Sequence, residues 1–235
     1  MVETTDRWAY LRKDLFRSVE PSVELVAVTQ PVGKYKDLCT TETLPGFTAR
    51  ASHESKGTIE DDKRLNKDLI KWDHTTPLQA VQFDFFVKGI TKSLQNQWVR
   101  HKIGVGWTFR STRYIPADQN NFVYNTYDYV DDEIKVKELL LTDQETVKTA
   151  IQIFQKKREL GATKEDSRKN MCLFFETPCY FYVNARALRH LFRKRLEKEA
   201  EWEIRRLAKL FLKECLEIAP SLFQDLAEKL EGGGR

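Results

Sequence analysis

One stretch of the sequence, residues 79–88, constrains the fold most, because its apolar residues alternate with polar ones. Val81, Phe83, Phe85 and Val87 fall on one side, and Phe86 alone departs from the alternation. A period of two residues predicts a β-strand with one face in the core. The chain must therefore build at least one sheet.

The remaining patterns are mostly helical, and they follow no regular β-α-β order. This mixed order predicts a single α+β domain over residues 1–235, with a largely antiparallel sheet flanked by helices. Residues 31–46 are rich in Pro and Gly and predict loops, and residues 232–235 predict a flexible tail. We predict helices at 57–71, 90–103, 142–160, 185–199 and 201–219, and a second β-rich segment at 171–183, with its best strand at 180–183.

Composition excludes several functional classes. The 39 basic and 35 acidic residues nearly balance, which argues against broad nucleic-acid binding. No apolar run approaches the roughly 20 residues needed to cross a bilayer, and the first residues show no secretion signal. We therefore expect a cytoplasmic protein without membrane or nucleic-acid partners.

No metal or disulfide site is expected. The four cysteines (Cys39, Cys172, Cys179 and Cys215) lack metal-ligand spacing, and the four histidines do as well. Reduced thiols are the default for a chain that can build its own core. No glycine-rich phosphate loop occurs either, so a bound nucleotide would not use a Rossmann-type site.

The predicted helix at 90–103 carries a first candidate site. Gln97, Arg100, His101 and Gly104 are spaced by three or four residues and would share a face. An amide, a guanidinium and an imidazole suit an anion or a polar heterocycle. A solvated, basic helix end explains the same spacing, and the spacing alone favours that reading.

A polar turn follows, with Ser111, Thr112 and Arg113 in succession. Hydroxyls and backbone N–H groups in such a turn can bind a phosphate, and arginine adds a charge-assisted hydrogen bond. Short polar turns are common, so this turn by itself is weak evidence.

The predicted helix at 185–199 places an arginine on its apolar stripe. Leu188, Leu191 and Phe192 form the stripe, and Arg195 falls on the same face one turn later. A buried arginine needs a partner. That partner is either a carboxylate such as Glu199 or a polar ligand, unless the side chain extends to solvent.

The start of the same helix carries two further polar residues. Asn184 fits an N-cap. Arg186 in the first turn opposes the helix dipole, which slightly favours a ligand-binding role.

Taken in order, these motifs resemble those of the flavin-dependent thymidylate synthases. The family's Arg-His-Arg, followed after seven or eight residues by Ser-x-Arg-Tyr, is matched by Arg100-His101-Lys102 and Ser111-Thr112-Arg113-Tyr114. The resemblance covers about residues 49–223. Further matches are His74-Thr75-Thr76-Pro77, Gln97-Trp98-Val99, Glu165-Asp166-Ser167-Arg168, Val183-Asn184-Ala185-Arg186, and Ala200-Glu201-Trp202-Glu203-Ile204-Arg205.

This resemblance implies an FAD enzyme that methylates dUMP to dTMP, with methylenetetrahydrofolate and NADPH as co-substrates. It also implies a homotetramer whose active sites lie between subunits, and Arg195 as the catalytic residue. Carried over by position, the dUMP residues are Gln97, Arg100, Ser111, Thr112, Arg113, Arg168 and Arg195. The FAD residues are His74, Thr76, Arg100, His101, Lys102, Asn184, Arg186 and His190.

Four positions depart from the family pattern. Lys102 replaces an arginine, Phe109 stands near a usual Glu or Gln, His190 replaces Asn, and Glu199 replaces His. Lysine keeps the charge but loses the bidentate fork. Methylation of UMP, another C5 modification of a pyrimidine nucleotide, or a non-catalytic nucleotide-binding role therefore remain alternatives.

Overall fold

The computed structural model describes residues 19–116, 118 and 121–232. They form two compact units. The sheet unit comprises Ser22–Val87, Trp98–Thr108 and the described residues from Tyr180 onward. The helical unit comprises Lys88–Gln97, Phe109–Cys179 and the described residues before Ser22. A single domain over residues 1–235 stays a prediction, and residues 233–235 of the predicted flexible tail lie outside the described part.

The described residues contain both strands and helices, so the α+β prediction is confirmed. The strands are β1 (Ser22–Val28), β2 (Gln82–Lys88), β3 (Val105–Phe109) and β4 (Cys179–Asn184). The α-helices are α1 (Leu44–Ala49), α2 (Ile59–Lys71), α3 (Lys92–Trp98), α4 (Glu133–Glu159), α5 (Lys164–Ser167), α6 (Ala185–Arg195), α7 (Trp202–Ile218) and α8 (Pro220–Gly232). Short 3-10 helices occupy Gly33–Asp37, Arg50–His53, Thr76–Ala80 and Arg168–Asn170.

The four strands form one antiparallel sheet in the order β1-β2-β4-β3. The N–H of Thr29, just after β1, donates to the carbonyl of Gln82 at the start of β2, and the N–H of Ala185, just after β4, donates to the carbonyl of Val81, just before β2. Each bond joins the end of one strand to the start of its neighbour, so both pairs are antiparallel. The predicted strand is confirmed as β2, and its alternating residues Phe83, Phe85 and Val87 are fully buried, as is Val81 just before it. It begins at Gln82 because Thr76–Ala80, with a proline near its start, is a 3-10 helix.

Phe86 breaks the alternation of β2 because both faces of that strand are covered. Its side chain is 2% exposed, and its ring lies 5.1 Å from that of Tyr180 on β4. On the other face, Phe85 packs against Phe211 of α7 with ring centroids 4.9 Å apart. Aromatic pairs at this distance add to the stability that burial provides.

The predicted helix over 90–103 is wrong beyond Trp98, where α3 ends. Trp98 is fully buried against Phe181, with ring centroids 4.5 Å apart, and the chain then turns. Gly104 has a positive φ of 70°, and β3 starts at the next residue. Arg100 and His101 therefore lie in a loop and do not share a helix face with Gln97.

Other element bounds also differ from prediction. Residues 31–46 include a 3-10 helix and the start of α1, and the predicted helix at 185–199 ends at Arg195. Helix α8 was not predicted, and it extends to Gly232, the first residue of the predicted tail.

The helical unit has its own apolar core, formed by Phe122, Tyr124, Val147, Ile151 and Phe175. Helix α4 supplies two of these residues. It starts earlier than predicted, because the side chain of Asp132 caps it by accepting hydrogen bonds from the next turn.

Among the described residues, no helix has the length and apolar character needed to cross a membrane. In the same part of the chain, no three His, Cys, Asp or Glu side chains are grouped to hold a metal ion.

Candidate functional site

A cleft of about 590 Å³ lies beside α6 in the sheet unit, and we call it the α6 cleft. Four of its lining residues are cationic, two are histidines and none is acidic. Such a donor set suits a phosphate or another anion. The lining residues are Gln79, Arg100, His101, Lys102, Ile103, Gly104, Val105, Asn184, Arg186, Ala187, His190, Leu191 and Arg195.

The pairing of β3 with β4 brings the two halves of the cleft together. The backbone N–H of Asn184, at the end of β4, donates to the carbonyl of Gly104, just before β3, at 3.0 Å. The Asn184 side chain accepts from the N–H of Ala187 at 2.9 Å, so the predicted N-cap is confirmed. Arg186 lies exposed in the first turn of α6.

Gly104 is required by this junction. Its φ of 70° lies in the left-handed region that other residues rarely adopt. A Cβ atom there would lie 2.4 Å from Nδ2 of Asn184, the residue that caps α6. The glycine therefore lets the loop approach the helix start.

Arg195 and His101 are joined across the cleft. The Nε–H of Arg195 donates to Nε2 of His101 at 3.0 Å. Burial, followed by the charges of Arg195 and His190, lowers the pKa of His101 to about 4. The imidazole is therefore neutral near pH 7 and can accept this hydrogen bond.

The surroundings of the Arg195 guanidinium disfavour its positive charge. Burial and the nearby charge of Arg100 lower the pKa of Arg195. Its hydrogen-bond partner is the neutral imidazole of His101, and not Glu199 as one interpretation of the sequence expected. The Glu201 carboxylate acts on this charge in the opposite sense, but the two form no ion pair among the described residues, so the guanidinium can still interact with a ligand.

The buried arginine of α6 is Arg189, which the sequence reasoning missed. It is 2% exposed. Its two terminal nitrogens donate to the two carboxylate oxygens of Asp225 on α8, each at 2.6 Å, and Nη1 also donates to the carbonyl of Leu222. Because α8 was not predicted, no pattern indicated that this side of α6 would be covered.

Two predicted FAD residues, His74 and Thr76, do not line the α6 cleft. Both are exposed, and the His74 ring packs edge-on against Trp72 with centroids 6.4 Å apart. Gln79, from the 3-10 helix that begins at Thr76, lines the cleft instead. No sequence signal singled it out.

A second cleft, of about 580 Å³, lies in the helical unit, and we call it the Ser111 cleft. It brings together four of the predicted dUMP residues. Arg168 donates from Nη1 to the Thr112 hydroxyl at 2.6 Å, and Arg113 donates from its backbone N–H to the Ser111 hydroxyl at 3.3 Å. The lining residues are Lys92, Gln95, Asn96, Phe109, Arg110, Ser111, Thr112, Arg113, Arg168, Lys169, Met171, Leu173, Phe175 and Thr177.

The other predicted dUMP residues lie elsewhere in the chain. Gln97, on α3, does not line the Ser111 cleft, and its buried Oε1 has no hydrogen-bond partner among the described residues. Arg100 and Arg195 line the α6 cleft. Of the residues that depart from the family pattern, Phe109 lines the Ser111 cleft, and Lys102 and His190 line the α6 cleft.

Fold and site together define an α+β protein with two basic clefts, each suited to a phosphorylated ligand. The family model described as thymidylate synthase complementing protein matches residues 35–221. This match covers most of the chain, so the chain belongs to that family. The resemblance seen in the sequence motifs is confirmed.

Known relatives point the same way, and each is named flavin-dependent thymidylate synthase. The protein from Clostridium tetani is 32% identical over 179 residues, 69% of each chain. That from Thermosipho melanesiensis is 30% identical over 184 residues, 71% of this chain and 79% of the relative. That from Nitratidesulfovibrio vulgaris is 28% identical over 221 residues, 90% of this chain and 89% of the relative.

Proposed function

We propose that this chain is an FAD-dependent enzyme that reductively methylates dUMP to dTMP, with methylenetetrahydrofolate and NADPH as co-substrates. The observation that carries the proposal is the α6 cleft, which assembles six of the eight predicted FAD residues from segments far apart in the sequence. Family membership and the names of the relatives support the same reaction. They do not favour modification of a different pyrimidine nucleotide.

The chemistry of the α6 cleft fits FAD. Arg100, Lys102 and Arg186 would hold its phosphates, because cationic donors without lining carboxylates favour a pyrophosphate. Asn184, His101 and His190 would donate or accept hydrogen bonds around it. His74 and Thr76 are assigned to FAD by the family resemblance. FAD, when bound and reduced by NADPH, would supply the hydride that completes the methyl group.

The Ser111 cleft fits the phosphate of dUMP. Ser111, Thr112, Arg113 and Arg168 offer hydroxyl, backbone and guanidinium donors, a combination that binds phosphate oxygens. Gln97, Arg100 and Arg195 complete the proposed dUMP residues.

Arg195 is the proposed catalytic residue. Carbon 5 of the uracil ring must become nucleophilic to accept a one-carbon unit, and negative charge then develops on N3 and O2. A guanidinium held by the neutral His101 would stabilise that charge, most strongly where water is excluded. The proposed roles require no thiol nucleophile, and burial raises the pKa of Cys179 and Cys215.

We further propose that the protein is a cytoplasmic homotetramer with active sites shared between subunits, and that it has no nucleic-acid partner. The near balance of basic and acidic residues supports the last point. Light scattering coupled to size-exclusion chromatography would measure the assembly. A monomer at micromolar concentration would contradict it.

Purification and a substrate assay test the function. We expect a yellow protein with a flavin spectrum. It should release tritium from dUMP labelled at C5 when NADPH and methylenetetrahydrofolate are present, and should release far less from labelled UMP. A colourless protein that cannot be reconstituted with FAD would overturn the proposal. Tritium release from UMP but not from dUMP would show that UMP, and not dUMP, is the substrate.

A further inference from the structure

One lysine of the Ser111 cleft has no role in the site described above. Lys92, the first residue of α3, lines the cleft together with Ser111, Thr112 and Arg168. Its side chain is half-buried. Neither its position in the sequence nor the family resemblance singled it out.

Neutral groups hold this lysine in place. Its Nζ donates to Oε1 of Gln95 at 2.7 Å, and the same oxygen accepts from the hydroxyl of the buried Thr177 at 2.9 Å. The backbone N–H of Lys92 donates to the carbonyl of Phe175 at 3.0 Å. The backbone hydrogen bond therefore fixes the main chain of Lys92, and the bond to Gln95 fixes its ammonium group at the wall of the cleft.

The charge of Lys92 is poorly compensated. Among the described residues, it forms no ion pair, whereas Arg113 and Lys169 of the same cleft pair with Glu165 and Asp166 at 3.4 and 2.8 Å. Burial, and then the charge of Arg168, lower the pKa of Lys92.

A partly buried ammonium next to a guanidinium is unfavourable unless an anion lies close to both. Arg168 donates to the neutral hydroxyl of Thr112 and, although the exposed Glu165 carboxylate interacts with its charge, it forms no ion pair among the described residues. Both cations therefore remain able to interact with a ligand in the cleft.

We propose that Lys92 is a further phosphate-binding residue, which holds the dianionic phosphate of dUMP together with Arg168. An ammonium carries three donors, so Lys92 can keep its bond to Gln95 and offer others to phosphate oxygens. The inference rests on the proposed function, because the presence of dUMP in this cleft is itself a proposal.

Substitution of Lys92 in the full-length protein tests the inference. Lys92→Met removes the charge and keeps most of the side-chain volume, and Lys92→Arg keeps the charge. Lys156→Met removes an equal charge from the exposed side of α4 and serves as the control. We would measure the dUMP dissociation constant at several KCl concentrations, and kcat and KM for dUMP. Thermal unfolding would check that each variant folds.

We expect Lys92→Met to weaken dUMP binding about tenfold to a hundredfold, as loss of a charge-assisted hydrogen bond does. KM should rise with little change in kcat at saturating dUMP, because phosphate binding is the same in the ground state and the transition state. The salt dependence of binding should become weaker. Lys92→Arg should recover most of the affinity, and Lys156→Met should match the wild type.

Two results would overturn the inference. One is wild-type dUMP affinity in Lys92→Met. The other is a fall in kcat that Lys92→Arg does not restore, which would indicate a structural role. Both leave the proposed function intact. If the wild-type protein itself fails to bind dUMP, the proposed function fails first and the role of Lys92 fails with it.

Discussion

Helix α6 carries two arginines in contrasting environments. Arg189 is buried and forms a bidentate ion pair with Asp225. Arg195 is half-buried and donates to the neutral imidazole of His101. The first charge is satisfied within the protein, so it ties α6 to α8. The second has no opposite charge in its hydrogen bond, so it can act on a ligand. Two residues of one type on one helix thus separate into a structural role and a functional one.

The largest expected effect tests the functional arginine. Arg195→Ala should lower turnover about a hundredfold to a thousandfold while leaving the fold intact, as loss of a group that stabilises developing charge does. Tritium release from labelled dUMP measures it. Arg193→Ala is the matched control, since Arg193 is exposed on the same helix and lies 3.6 Å from Asp73. Full activity of the Arg195→Ala variant would contradict the catalytic role proposed for Arg195.

The structural arginine should respond in the opposite way. Arg189→Met should lower the free energy of unfolding by about 2–3 kcal/mol, less than for a fully buried pair because Asp225 is about half exposed. Denaturant unfolding measures it. The flavin content of the folded fraction should not change. A loss of FAD affinity without a loss of stability would contradict the division of roles.

The junction between the loop and α6 can be tested through its glycine. Gly104→Ala should weaken FAD binding about tenfold because its Cβ would displace Asn184, and the left-handed alanine should also lower stability by about 1–2 kcal/mol. Gly33→Ala is the control: Gly33 also has a positive φ, but a Cβ there meets no atom within 4 Å. It should share the backbone strain and leave FAD binding unchanged. Equal FAD affinity in the two variants would contradict the role of the contact with Asn184.

A smaller effect should appear in the pH dependence of stability. The pKa of His101 is about 4 in the folded protein and about 6.5 unfolded, so the unfolded chain binds more protons between these values. The contribution of His101 to the free energy of unfolding is therefore present above pH 6.5 and is lost as the pH falls toward 4. Because the ring is partly exposed and solvent screens its interactions, we expect the free energy of unfolding to fall by about 1 kcal/mol over this pH range.

His101→Gln supplies the comparison for this pH effect, because glutamine does not titrate. Denaturant unfolding at pH 7, 5.5 and 4.5 should show a shallower loss of stability in the variant than in the wild type. Identical pH profiles would show that His101 is not the titrating group.

The smallest effect concerns a departure from the family pattern. Lys102→Arg should raise FAD affinity a few-fold, because a guanidinium can form two parallel hydrogen bonds with a phosphate where an ammonium acts as a point charge. Titration of the apoprotein with FAD, followed by flavin fluorescence, measures it. Weaker binding in the variant would place Lys102 away from the phosphates.

Strand β2 and helix α6 could be predicted from their patterns, whereas the equally buried helix α8 was missed. Strand β2 and helix α6 combine regular spacing with deep burial, and the cap at Asn184 has a strong local preference. Strands β1 and β3 were missed. They lie at the two edges of the sheet, where none of their residues is fully buried, so their sequences carry no clean alternation.

The sequence by itself determined the element types of β2, α6 and α7, the cap of α6 and the order of the motifs that mark the family. These properties depend on neighbours within a few residues or on the succession of residue types along the chain. Only the tertiary structure decided that Arg189 is the buried arginine and that Arg195 meets His101, because α8 and the β3–β4 pairing supply the partners. The environment of a charge is set by residues distant in sequence, and no local pattern records them.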